Sequence, residues 1–173
     1  MEKLYTKILG MPVRDDGVRP ITTVKDVLID PATGKICALE VHSGRNMVIV
    51  AVDILAWRDA IIINNADSIV SAEDILRVEE LIKQDLRVYK NNVESKSGTH
   101  IGKVYDFIID SENLNLKKLY VSKDILGIAR YDKRIIDAKD IIEILKEKII
   151  VKANTAILKE EEKELSVGGM AKA

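Results

Sequence analysis

Apolar and polar positions along the chain repeat on a period of about eighty residues. The stretch Ile21 to Val41, ITTVKDVLIDPATGKICALEV, recurs without a gap as Ile101 to Val121, IGKVYDFIIDSENLNLKKLYV. Val24 matches Val104, Asp26 matches Asp106, Ile29 matches Ile109, Asp30 matches Asp110, Leu39 matches Leu119 and Val41 matches Val121. Such self-similarity marks a duplicated unit. Within each copy, short β-branched runs are punctuated by turn residues, the pattern of strands in a small all-β unit.

Leu4 to Val13 reads as an entering strand, followed by Arg14-Asp15-Asp16-Gly17, an Asp-Gly hairpin signal. Pro20 then belongs at a strand start or an edge. Thr22 to Ile29 reads as a central strand with Val27 and Ile29 on one face and Val24 and Leu28 on the other. Asp30 to Lys35 and Asp110 to Asn113 read as turns. Ile36 to Val41 returns as a partner strand and Val48 to Val52 forms a third. The copies diverge between Ser122 and Arg134, where about seven extra residues extend this hairpin. Register then recovers, with Asp53 matching Asp140 and Ile61-Ile62-Ile63 matching Ile149-Ile150-Val151.

Each copy ends in a charged segment. Ser71-Ala72-Glu73-Asp74 reads as a capping box opening a helix with Ile75, Val78, Leu81 and Ile82 on one face. The second copy, from Lys159 to Leu165, has lost nearly all of this stripe and reads as a charged helix or tail ending in Gly168-Gly169-Met170. The expected fold is therefore all-β with a minor helical part: two tandem small β-barrels joined by an amphipathic helix. The first spans 1–70, the helix 71–85, the second barrel 86–158 and the charged tail 159–173.

Composition changes this picture little. The 173 residues are 47% hydrophobic and 32% charged, as a globular protein requires, and only 4% aromatic, so Ile, Val and Leu must fill the core. Net charge is -1, which gives no bulk attraction to nucleic acid or anionic lipid. The halves differ: residues 1–86 carry 10 Lys and Arg against 14 Asp and Glu, a balance of -4, and the remainder 17 against 14, or +3. Cys37, the only cysteine, has Lys117 as its counterpart and reads as a structural thiol near a surface. The N-terminal stretch has no long apolar run, and Met47 to Trp57 falls short of the roughly 18–20 apolar residues of a spanning helix. A cytoplasmic protein without direct membrane insertion is expected.

The residues also carry a resemblance. Gly102-Lys103-Val104-Tyr105-Asp106, then an aspartate-bounded turn at Asp110 and the returning Leu119-Tyr120-Val121, resemble the PRC-barrel family, known from the photosynthetic reaction-centre H subunit and the ribosome maturation factor RimM. The first copy, Thr22-Thr23-Val24-Lys25-Asp26, has threonine where the family usually places glycine. The resemblance implies PRC-type barrels acting as a non-enzymatic interaction, adaptor or scaffold module. The alternative it implies is a ribosome or rRNA maturation factor, with nucleic acid reached through the ribosome; the basic second half would then bind RNA in a salt-sensitive way through Lys117, Lys118, Lys123 and Lys133.

Candidate chemistry is sparse. His42 and His100 occupy different points of their repeats, so neither catalysis, a cofactor nor a metal is expected. The repeated aspartates have structural duties available: turns or caps for Asp30, Asp53, Asp110 and Asp140, and backbone amides at a bend or bulge for Asp26 and Asp106. Trp57 and Arg58 have no aromatic counterpart in the second copy and belong to residue types enriched at binding hot spots. Packing of Trp57 between barrel and helix is the structural alternative. The insertion residues Ile125, Leu126 and Ile128 either cover a barrel mouth or meet a partner. The expected partner is a protein, a second copy of the chain included.

Overall fold

Alternating apolar runs and tight turns give a mostly β fold, with two short α-helices among the described residues. The structure, a computed structural model, describes residues 1–15, 17, 19–125, 128–152 and 158–159, with the backbone alone at 124–125, 128–132 and 158–159. In chain order the elements are β1 (Glu2–Leu4), α1 (Tyr5–Ile8), β2 (Pro12–Arg14), β3 (Thr22–Ile29), β4 (Ile36–Val41), β5 (Met47–Val50), β6 (Ala56–Trp57), β7 (Ile61–Ile62), β8 (Val70–Ser71) and α2 (Leu76–Gln84). There follow β9 (Asn92–Ser95), β10 (His100–Asp110), β11 (Asn115–Ile125), β12 (Ile128–Asp137), β13 (Ile141–Ile144), β14 (Lys148–Val151) and β15 (Leu158–Lys159).

Two sheets result, of order β6-β7-β2-β3-β4-β5-β8 and β13-β14-β9-β10-β11-β12-β15. Position by position, the two orders are the same. Each contains one parallel pair, β2 with β7 and β9 with β14, reached without a crossover helix. Neither ordered path returns to its start, so the expected closed barrels are replaced by open sheets. Their inner faces share one hydrophobic cluster, running from Ile8, Val24, Leu39 and Ile49 to Val104, Phe107, Leu119 and Ile136. Backbone also bridges the halves, since Ile36 N–H donates to the Leu114 carbonyl and Leu116 N–H to that of Gly34, each at 2.8 Å.

Several local expectations change. Leu4 to Val13 is not one strand: Glu2–Leu4 pairs antiparallel with Ile108–Asp110 of β10, which removes the start of residues 1–70 from the first sheet. Tyr5–Ile8 then turns as a short helix that buries Tyr5 and Ile8. In β3 a bulge between Val24 and Asp26 resets the alternation, so Val24 joins Val27 and Ile29 in the shared core while Leu28 faces outward. The same bulge recurs in β10 between Val104 and Asp106.

Ser71 caps only the single 3-10 turn Ala72–Asp74, accepting from Glu73 N–H at 3.4 Å. The α-helix starts later, at Leu76, without a side-chain cap. It lays Val78 on an outward-facing cluster with Leu28, Ala38, Val48 and Ala72, and Ile75 and Ile82 pack at its margin. Asp85 ends it in the left-handed conformation at φ 51°. Asp53 and Asp140 close 3-10 turns instead of capping them; Asp137 supplies the side-chain cap of the second turn. Asp30 and Asp110 hold their turns as expected, accepting from Ala32 N–H and Glu112 N–H at 2.9 Å. Lys159 is in β15, and the rest of the predicted tail, 160–173, lies outside the described residues.

Candidate functional site

The residues that join the two sheets form the most elaborate polar arrangement. Each bulge turns an aspartate back on its own strand: Asp26 Oδ1 accepts from Val27 N–H at 2.7 Å, and Asp106 Oδ1 from Phe107 N–H at 2.9 Å. Two consecutive residues of α1 then take one aspartate each. The Tyr5 hydroxyl donates to Asp26 Oδ1 at 2.8 Å. Thr6 donates through its backbone N–H to Asp106 Oδ1 at 3.2 Å and through its hydroxyl to Asp106 Oδ2 at 2.6 Å. A four-residue helix thus clasps the equivalent position of both sheets.

Apolar contact reinforces the clasp. The Tyr5 ring stacks on Phe107 at 4.4 Å and lies 5.0 Å from Tyr89. On the other side Arg87, delivered by the end of α2, donates to Asp26 Oδ2, to Glu40 Oε1 and, through Nε, to Asp85. Lys25 Nζ lies 3.2 Å from the remaining Glu40 oxygen. Burial, with the Asp26 charge beside it, pushes the Tyr5 phenol well above its ordinary value and keeps it a hydrogen-bond donor. Burial draws Arg87 down, but Asp26 and Glu40 more than reverse this and leave its pKa raised. The groups beside a cleft of about 210 Å³, lined by Tyr5, Asp26, Val27, Arg87, Val88, Tyr89 and Phe107, are thereby committed to one another.

The sequence-predicted residues lie elsewhere and are not brought together with this joint. Trp57 is only 6% exposed and belongs to the shared core, so its ring is no surface anchor; the helix it was expected to meet, α2, packs on a different cluster. Arg58 is exposed beside it. Ile125 and Ile128 face each other across the tip of the β11–β12 hairpin by backbone register, and Leu126 lies outside the described residues. Cys37 is half-buried against the α2 cluster, and burial raises its thiol pKa. His42 and His100 are exposed. Among the described residues no group of three or more His, Cys, Asp and Glu side chains is placed to hold a metal ion, and no helix is long and apolar enough to cross a membrane.

Sequence reasoning missed Tyr5, Thr6, Glu40 and Arg87. One signal for the Glu40 pair was present in the repeat. Lys25 and Glu40, an ion pair, stand where the second copy has Tyr105 and Tyr120, whose rings lie 6.0 Å apart. Opposite charges replaced together by two aromatics point to a cross-strand pair. Nothing local identified Tyr5 and Thr6.

No curated protein matches the chain. Residues 1–69 match the PRC-barrel domain family, over β1 to β7 and the turn that precedes β8. A PRC-barrel domain is therefore found at residues 1–69.

Proposed function

We propose that the chain is a non-enzymatic interaction or adaptor module built from two PRC-type units, the second over residues 86–158, acting in a cytoplasmic assembly. The observation that carries this reading is the shared strand order: a sheet built from β2 to β7 of the matched PRC-barrel segment, with β8, is followed by one with the same order, an equivalent parallel pair and the same aspartate bulge. The joint between them supports a structural role. Tyr5 and Arg87 donate to Asp26 and Thr6 donates to Asp106, whereas acid–base catalysis calls for a group held ready for substrate.

The test is affinity capture of the tagged chain from its native cytoplasm at low and high salt. A protein partner that stays bound at high salt is the expected result. Ribosomal components released by salt would instead favour the maturation-factor reading, because phosphate contacts weaken steeply with ionic strength.

A further inference from the structure

The helix α2 is attached to the fold differently from the strands beneath it. Its apolar residues stand outside the shared core: Val78 closes a separate small cluster with Leu28, Ala38, Val48 and Ala72, and Ile75 and Ile82 sit at the margin of that cluster. Firm attachment lies beyond the helix at both ends. Upstream, Ala72 is buried and its N–H donates to the Asn46 carbonyl at 2.8 Å. Downstream, Arg87 is tied to Asp26 and Glu40, and Val88 enters the shared core. Between these anchors, along 73–86, the buried residues are Val78 and Leu81, whereas Leu76 is 72% exposed and Lys83, Gln84 and Asp85 face solvent. Among the described residues no side chain caps the start of the helix, and its nine residues are too few to stay helical in water without packing. A polar clamp fixes the helix body to the sheet. The Arg77 guanidinium donates to both Asp30 oxygens, through Nη2 at 2.8 Å and through Nε at 3.3 Å.

We infer that residues 73–86 form a strap, held at Ala72 and at Arg87, that lifts off the first sheet while both sheets stay folded, with the Arg77–Asp30 fork as its latch. Lifting gives up the contacts of one small cluster and leaves those of the shared core in place. The joint made by Tyr5, Thr6, Asp26 and Asp106 is untouched, because Arg87 lies on the anchored side. A turning point is already built in, since Asp85 sits in the left-handed conformation at φ 51°. The open state shows Leu28, Ala38 and Val48, which are 3%, 0% and 0% exposed when the strap is down. The first sheet therefore has an open apolar face only while the strap is up. The fork sets how often that happens, because it is the charged contact between helix body and sheet that lifting must break.

The test is native-state hydrogen exchange of the full chain across a series of low urea concentrations. Amides from Glu79 to Lys83 are expected to share one opening constant with little urea dependence, because lifting exposes little surface. Amides of β4 and β10 are expected to follow the steeper slope of global unfolding. Thr6→Ala removes one hydroxyl bond from the joint. It is expected to speed exchange in β10 about fivefold and to leave α2 unchanged, since the open state keeps that joint. Arg77→Ala is expected to raise the opening constant of α2 about threefold, and Arg77→Lys, which keeps the charge without the fork, to raise it less. Four results overturn the inference: α2 amides that share the free energy and urea slope of β10, a Thr6→Ala effect of equal size on both, a profile in α2 graded inward from the helix ends, which is fraying, or exchange in α2 indifferent to Arg77→Ala.

Discussion

At the scale of single residues, the bulge aspartates are the positions where a small change has the largest foreseeable effect. Asp106 is 8% exposed and accepts from Phe107 N–H, Thr6 N–H and the Thr6 hydroxyl. Asp106→Ala leaves these donors unpaired and is expected to lower stability by roughly 1–3 kcal/mol, measured by denaturant unfolding; an unchanged midpoint would contradict the account. Tyr5 adds a pH dependence. Its folded pKa lies above its unfolded value near 10, so its contribution is fully present below pH 10 and declines as pH rises beyond it. Tyr5→Phe should cost about 1 kcal/mol at neutral pH and flatten the alkaline loss of stability. Asp30 has the opposite sign: the Arg77 guanidinium holds its carboxyl below the ordinary value, so this contribution is present at neutral pH and lost as pH falls below about 4. Arg77→Ala should bring acid unfolding to higher pH. Gly102 is a third kind of constraint, since at φ +156° an added Cβ would lie 2.6 Å from the Ser122 carbonyl oxygen. Gly102→Ala is expected to destabilise by more than about 1 kcal/mol in thermal melting.

At the scale of elements, the sequence pattern reported what neighbouring residues decide and was silent on what distant ones decide. The turns at Asp30 and Asp110 were legible because their aspartates bond amides two residues on. The bulges were legible because a charge interrupts an apolar run at the same place twice. The face assignment within β3 failed for the same cause, as one extra residue at the bulge moves Val24 to the other side. The start of α2 was misplaced because Ser71 satisfies a 3-10 turn before the α-helix begins. The stripe itself was read correctly at Val78 and Leu81, both buried. Val78→Ala, which uncovers Leu28, Ala38 and Val48, should cost about 2 kcal/mol and raise hydrogen exchange in α2 before that in β10.

At the scale of the whole molecule, the repeat suggested two tandem units, and residues of both share one hydrophobic cluster. Phe107, 1% exposed, packs against Tyr5 from the opposite end of the sequence, and Ile36 and Leu116 exchange backbone hydrogen bonds with the other half. Unfolding is accordingly expected as one cooperative transition, with Trp57 fluorescence in the first sheet and far-ultraviolet dichroism of the whole chain sharing a midpoint. The clasp could not be read from the repeat, because the partners Thr6 and Asp106 stand a hundred positions apart.

That separation also sets an order for biosynthesis. Residues Glu2–Leu4 leave the ribosome well before their strand partners Ile108–Asp110, which are made more than a hundred residues later. Throughout translation of the segment 1–69, β1 has backbone donors and acceptors with no strand to meet them, an edge open to mispairing with neighbouring chains. The pairing thus returns an earlier-made part of the chain to a later-made one, and a ribosome stalled before Ile108 would release a product with that edge exposed.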